Sequence, residues 1–233
     1  MSMERVEAPA PLLTWLADRP AWEATTGYDA AGWQSSTWIL HAMYENSSIG
    51  GINLDEETTD TGIPLGFVVR PASPWRRALW SEHFAEGRGQ ASDRSYPPCH
   101  RWFPHRSWPV AVQPPPEGSL DEESLDALLD TLSRCSIDGP GTDCVAFYAS
   151  LPAGDFDNPH VWRGPLSAVP ELLEERGGSY AFSATNLWPT DRSWFVWTDY
   201  DLLATKVSGA GPLVEAVKSH PALETVDWST QPR

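Results

Sequence analysis

The chain has 233 residues, 41% of them hydrophobic, and carries 13 Trp, 7 Phe and 6 Tyr, a composition that supplies a buried core and excludes a disordered chain. It holds 16 Lys and Arg against 32 Asp and Glu, and the net charge of −16 argues against binding to nucleic acids or to anionic membrane surfaces. No apolar run approaches the roughly 18 residues that a membrane-spanning helix needs.

The negative charge is concentrated in the second half of the chain. Residues 1–117 contain 9 basic and 14 acidic side chains, a net of −5, whereas residues 118–233 contain 7 and 18, a net of −11. A basic protein partner would therefore be attracted mainly to the second half. The alternative is that the acidic surface only keeps the protein in solution.

The N-terminal half, residues 1–113, is predicted to be rich in helix. Apolar spacing indicates helices around residues 12–16, over 29–45 with Asp29 as N-cap, and over 75–84. Short strands are predicted at 65–69 and 108–112.

Three consecutive prolines, Pro114, Pro115 and Pro116, favour an extended polyproline II segment. Residues 114–118 are therefore predicted to be a linker between the two halves, which makes two subdomains an alternative to one domain.

The C-terminal half, residues 119–233, mixes helices and strands. Ser119 and Glu122 have the spacing of a capping box, which predicts that a helix begins there with a leucine stripe. Further helices are predicted at 166–176 and 212–220, strands at 145–150, 180–184, 194–198 and 203–207, and a long loop at 152–165. This order predicts an α+β fold with a mostly antiparallel mixed sheet and packed helices.

The segment 99–106 concentrates basic side chains among aromatic ones. His100, Arg101, His105 and Arg106 can bind a carboxylate or a phosphate, or can pair internally with neighbouring carboxylates. Cys99 beside the two histidines lacks the second ligand pair that a zinc site needs, so no metal is predicted.

The segment 188–201 is the most distinctive stretch of the chain. Asp191, Asp199 and Asp201 flank an aromatic strand, where paired carboxylates can act as acid and base or can simply cap turns. Trp188, Trp194 and Trp197 can line a ligand pocket or belong to the core.

The loop 154–160 is polar enough for a site, with Asp155, Asp157 and His160, but it lacks the spacing of a calcium loop. Phosphate-binding glycine loops, Gly-x-Ser-x-Gly elbows and His-Glu-x-x-His pairs are absent from the sequence. No cofactor is therefore predicted.

The odd number of cysteines and the charged, weakly apolar first twelve residues indicate a reducing cytoplasm. Arginine in place of lysine at 14 of 16 basic positions indicates a high-GC genome. The stretch from Leu151-Pro152-Ala153-Gly154-Asp155 to Trp188-Pro189-Thr190-Asp191-Arg192-Ser193-Trp194, together with Trp38-Ile39-Leu40-His41, resembles a group of actinobacterial, Streptomyces-like proteins of unknown function. That resemblance implies a host lineage and no mechanism.

The favoured hypothesis is an acidic protein-binding module, such as an immunity- or antitoxin-like inhibitor of a basic partner. One alternative is a small-molecule-binding protein or enzyme with a Trp-lined pocket. Another is a structural or regulatory subunit without chemistry.

Overall fold

The structure is a computed structural model that describes residues 2–17, 28–30, 32–49, 64–83 and 111–227. Its helices are α1 (Ala10–Ala17), α2 (Trp80–His83), α3 (Glu122–Cys135), α4 (Ser150–Ala153) and α5 (Gly211–Lys218). Its strands are β1 (Glu4–Arg5), β2 (Ser35–Leu40), β3 (Met43–Glu45), β4 (Arg76–Ala78), β5 (Val112–Gln113), β6 (Asp143–Tyr148), β7 (His160–Pro165), β8 (Asn186–Pro189), β9 (Trp194–Trp197), β10 (Ala204–Gly209) and β11 (Glu224–Val226).

Eight strands form one sheet in the order β1-β7-β6-β8-β9-β10-β2-β11, and β4-β3-β5 form a small second sheet. Neighbouring strands in both sheets run antiparallel. The predicted α+β fold with a largely antiparallel sheet is confirmed.

Both faces of the large sheet are buried. Because successive strand residues point to opposite faces, Trp194 and Val196 of β9 enter one apolar core while Phe195 and Trp197 enter the other. The first core is closed by α3, α5 and the 3-10 helix Leu166–Leu172. The second core is closed by α1 and by residues of the small sheet.

Helix α3 buries the predicted leucine stripe, but the predicted capping box is wrong. The helix begins at Glu122, and Asp121 is the N-cap residue. Ser119 is buried and its hydroxyl contacts Ser183, accepting the Ser183 backbone N–H at 3.0 Å. The stripe that faces the sheet consists of Leu125, Leu128, Leu129 and Leu132.

The predicted helix over 29–45 is wrong, because this stretch contains β2 and β3. Strand β2 lies between β10 and β11 and pairs with both of them. Ile39 is buried on one face of β2, and Trp38 and Leu40 are buried on the other. Because both faces are buried at Trp38, Ile39 and Leu40, three apolar residues follow one another without the alternation of a half-buried strand, and a helix was predicted instead.

Five other predicted elements differ from the structure. Residues 65–69 and 180–184 make only isolated bridges, and 75–84 contains β4 and the short α2 within the described residues. The predicted loop 152–165 includes β7. The segment 166–176 forms 3-10 helices, in keeping with Pro170, which has no N–H to donate, and it ends at Gly177 as predicted.

The predicted linker 114–118 is a packed segment. Its three prolines and Gly118 are buried, and the Gly118 N–H donates to the Leu202 carbonyl at 2.9 Å. Gly118 has φ +75°, and a Cβ there would lie 2.7 Å from the Tyr200 backbone. Strands from both halves of the chain, including β2 and β10, pair in the same sheet.

Within the described ranges, no helix combines the length and the apolar character needed to cross a lipid bilayer. Cys135 and Cys144 are free thiols, Cys135 exposed and Cys144 buried.

Candidate functional site

The basic segment at 99–106 lies outside the described residues. This applies to Cys99 and to the four candidate ligand residues, His100, Arg101, His105 and Arg106.

Trp188 and Trp194 are buried side chains of the two different cores. Trp188 makes an edge contact with Trp15 at a ring-centroid distance of 5.5 Å, whereas the Trp194 indole N–H donates to Ser136 Oγ at 2.9 Å on the other face. The sheet separates the two indoles, so they do not line one pocket.

Asp191 lies in the exposed turn between β8 and β9. Its carboxylate accepts the Ser193 backbone N–H at 2.9 Å, and the next residue, Arg192, has φ +55°. Asp191 therefore has the turn-capping role that the sequence leaves open for it.

Asp199 and Asp201 lie together in the loop between β9 and β10. Partial burial, followed by the negative charge of Asp201, raises the pKa of Asp199 to about 6. One of the two carboxyl groups therefore holds its proton more tightly than a solvated aspartate does.

A second polar group, centred on His41, is completely buried. His41 Nδ1–H donates to the Pro116 carbonyl at 2.6 Å, and Nε2 accepts from the Thr205 hydroxyl at 2.9 Å. The Thr205 oxygen lies 2.7 Å from the Thr198 hydroxyl. Burial lowers the pKa of His41 to about 4, so the ring is neutral at pH 7.

Thr198 and Thr205 border a small cavity between α3 and the sheet. Its volume is about 20 Å³, and its other walls include Leu128, Tyr148 and Val196. This volume accommodates about one water molecule and no organic substrate. The pairing of His41 with a threonine hydroxyl resembles a hydroxyl activated by a histidine. Because the cavity is too small for a substrate, we interpret this hydrogen-bond network as structural.

A third polar group reaches the surface at the ends of β6 and β7. His160 Nε2 lies 3.0 Å from Asp155 Oδ2, and His160 Nδ1 lies 2.8 Å from the Tyr180 hydroxyl. The Trp162 indole N–H also donates to that hydroxyl oxygen at 2.8 Å. Because a carboxylate only accepts, His160 Nε2–H donates to Asp155, while Nδ1 shares a hydrogen bond with the Tyr180 hydroxyl.

Tyr180 is buried and tightly packed, and it serves as a structural support for His160. It is only 4% exposed, and its ring stacks on Tyr148 at a centroid distance of 3.7 Å. Burial raises its pKa, while the Trp162 hydrogen bond and the charge of Arg5 act in the opposite direction. A phenol that is buried, protonated and fully hydrogen-bonded anchors its neighbours better than it attacks a substrate.

The segment fixed by this support is residues 151–158, here called the presenting loop. Asp155 Oδ1 accepts the backbone N–H groups of Asp157 and Asn158 at 3.0 and 3.1 Å. These bonds and the His160 contact lower the pKa of Asp155 to about 2, so it stays ionised at neutral pH. Gly154, with φ +65°, ends α4, whose residues 151–153 form the first part of the presenting loop.

The presenting loop exposes apolar side chains. Phe156 is 73% exposed between Asp155 and Asp157, and Leu151 is 48% exposed. A side chain of this size is usually buried, and its exposure on a hydrogen-bonded loop is typical of contact residues in protein interfaces.

Further exposed carboxylates lie on the segment whose backbone bonds to Tyr180. The Tyr180 carbonyl accepts the Glu174 N–H at 2.8 Å, while its hydroxyl reaches His160. We call Asp157, Glu171, Glu174 and Glu175 the carboxylate surface; all four side chains are exposed. Within the described part of the chain, no Lys or Arg lies at ion-pair distance from these four.

The cations of this half are engaged elsewhere. Residues 118–227 contain 18 Asp and Glu but 6 Lys and Arg. Five of the six pair with carboxylates, as Arg176 does with Asp126 at 3.0 Å, and the sixth, Arg192, lies over the Trp15 ring. Residues 118–227 therefore contribute a net negative charge to the surroundings of the carboxylate surface.

Part of this site was predicted from the sequence. Asp155, Asp157 and His160 were candidates in a polar loop, whereas Tyr180 and Phe156 were not among the candidate residues. A Phe between two aspartates in a Gly- and Pro-bounded loop was the available signal for Phe156. Nothing local marks Tyr180, which follows His160 by 20 residues.

No protein-family model, curated protein or solved structure matches the chain. The resemblance to actinobacterial proteins stays a prediction, and the site has to be interpreted from its own geometry.

Proposed function

We propose that the chain is a cytoplasmic protein-binding module that covers a basic surface of a partner protein, as an immunity- or antitoxin-like inhibitor does. The observation that carries the proposal is the carboxylate surface, which forms no ion pair with a Lys or Arg of the described residues, because those of residues 118–227 contact other groups. Exposed charges of one sign steer an oppositely charged partner and select against others.

The described interior supports binding at the surface more than binding in a pocket. Trp188 and Trp194 fill two separate cores, and the cavity beside Thr205 has a volume of about 20 Å³. The alternative of a Trp-lined small-molecule site therefore has no support from these two indoles.

The test is affinity recovery from a lysate of the source organism on immobilised protein. We expect a basic protein to be retained at about 0.1 M salt and released at about 1 M, because the Debye length falls from about 10 Å to about 3 Å. Recovery of no basic protein, or of one whose binding ignores salt, contradicts the proposal.

Matched charge reversals locate the contact. Glu175→Lys changes the carboxylate surface, whereas Asp138→Lys makes the same change in net charge at another exposed position, before β6. The first variant should lose most of the retained protein and the second should keep it. Equal losses would point to a general effect of net charge.

A further inference from the structure

We infer that the presenting loop is the anchor of this interaction and that Phe156 enters an apolar pocket bordered by Lys and Arg on the basic partner. The inference rests on the proposed function and adds to it the position of the contact and the kind of pocket that the partner offers.

The first step is the exposure of the loop. Phe156 and Leu151 are 73% and 48% exposed and lie within six residues of each other on the same short segment. Leaving an aromatic ring in water forgoes the hydrophobic free energy that its burial contributes. Covering this ring with a partner recovers that contribution, and aromatic anchors of this kind dominate interface energetics.

The second step is the rigidity of the loop. Asp155 accepts two backbone N–H groups of the loop and is itself held by His160, which Tyr180 holds in turn. The backbone on either side of Phe156 is thereby fixed before a partner arrives. Preorganisation of this kind reduces the conformational entropy lost on binding.

The third step is the charge around the ring. Asp157 is the next residue, and Glu174 is joined through its backbone N–H to Tyr180, whose hydroxyl contacts His160. A pocket that accepts Phe156 would therefore have Asp157 at its rim. Lys and Arg are the residues that complement such a rim.

A second copy of this chain is a poor occupant for the same reason. Two copies would bring like-charged carboxylate surfaces together, each on a chain with a net charge of −16. Self-association through Phe156 is nevertheless an outcome that the experiment distinguishes.

The experiment compares wild type, Phe156→Ser and Ile137→Ser. Ile137 is 96% exposed, precedes β6 and is followed by Asp138, whereas the presenting loop follows β6. It is thus an exposed apolar control residue on the connection that leads into β6, whereas Phe156 lies on the connection that leaves it. Each variant is immobilised and challenged with the source lysate, and the bound basic proteins are quantified one by one.

We expect Phe156→Ser to weaken retention of the basic partner about 30-fold, the loss typical of an interface anchor, and Ile137→Ser to leave it within about threefold. If a basic protein is retained equally by wild type and Phe156→Ser, the inference is overturned while the proposed function stands. If no basic protein is retained at all, the proposed function fails and the inference fails with it.

Sedimentation of the purified proteins tests for self-association through Phe156. Wild type is expected to be monomeric at micromolar concentration. A dimer that Phe156→Ser dissociates and Ile137→Ser preserves would assign the loop to self-association and overturn the basic-partner inference.

Discussion

Two histidines of this protein bridge hydrogen-bond partners in very different surroundings. His41 lies in the interior between a carbonyl and a hydroxyl, and burial lowers its pKa to about 4. His160 lies at the surface between a carboxylate and a phenol. The interior network joins β2, β10 and the proline segment into one core, whereas the surface network fixes a loop that exposes Phe156. The same residue type thus supports the core in one place and an exposed loop in the other.

Replacing the two histidines tests this contrast and should give the largest effect on stability. His41→Ala leaves the Pro116 carbonyl and the Thr205 hydroxyl buried without their partner and opens a cavity, so we expect a loss of about 3–5 kcal/mol. His160→Ala should cost about 1 kcal/mol, since water can replace the ring. Denaturant unfolding measures both losses, and similar values would remove the distinction.

The pH dependence of stability should report His41 next. Its pKa in the folded state is about 4, below the ordinary value of 6.5. Between these two pH values, the unfolded chain therefore binds a proton at His41 and the folded chain does not. The contribution is complete above pH 6.5 and is lost as pH falls towards 4, by about 3 kcal/mol. The difference between wild type and His41→Gln isolates this loss. A constant difference across that range would contradict it.

Asp199 should act in the opposite direction over an overlapping range. Its folded-state pKa is raised from 3.8 to about 6, so the folded chain holds a proton that the unfolded chain releases. Stability should therefore fall by on the order of 2 kcal/mol as pH rises from about 4 to 6. Asp199→Asn should remove this fall and sharpen the His41 transition. A wild-type-like pH profile in that variant would show that burial of Asp199 costs little.

The smallest effect on stability should come from the surface network. Tyr180→Phe deletes the hydroxyl shared by His160 and Trp162 and should cost about 1 kcal/mol, while amide exchange at 155–158 becomes several-fold faster. Tyr148→Phe makes the same deletion in the ring stacked on Tyr180 and leaves the His160 chain intact. Unchanged exchange in Tyr180→Phe would mean that the loop is held without this network.

The parts of the fold predicted from sequence were those with one buried face or clear end signals. Helix α3 has a leucine stripe and an acidic outer side. Strands β9 and β10 are short segments with aromatic or β-branched residues, and each lies between turns. Strand β2 was mistaken for part of a helix because both of its faces are buried, which removes the alternation that marks a strand. Strand β7 was overlooked because Arg163 and Gly164 interrupt its apolar pattern.

The candidate site was less predictable because it depends on contacts between distant residues. Asp155 and His160 are five residues apart and drew attention as a polar loop, but Tyr180 becomes part of the site only when the chain folds back onto β7. The position of the carboxylate surface likewise depends on which carboxylates form ion pairs with arginines, as Asp126 does with Arg176. Charge counts predicted the sign of the surface and not its position.

The salt dependence of partner binding tests the central claim most directly. The dissociation constant of the recovered basic protein should rise steeply with salt for wild type, and less steeply for the Glu174→Lys, Glu175→Lys double variant, which lacks two of the carboxylates. Equal slopes for the two proteins, or a wild-type constant that salt does not change, would contradict a binding surface built on these carboxylates.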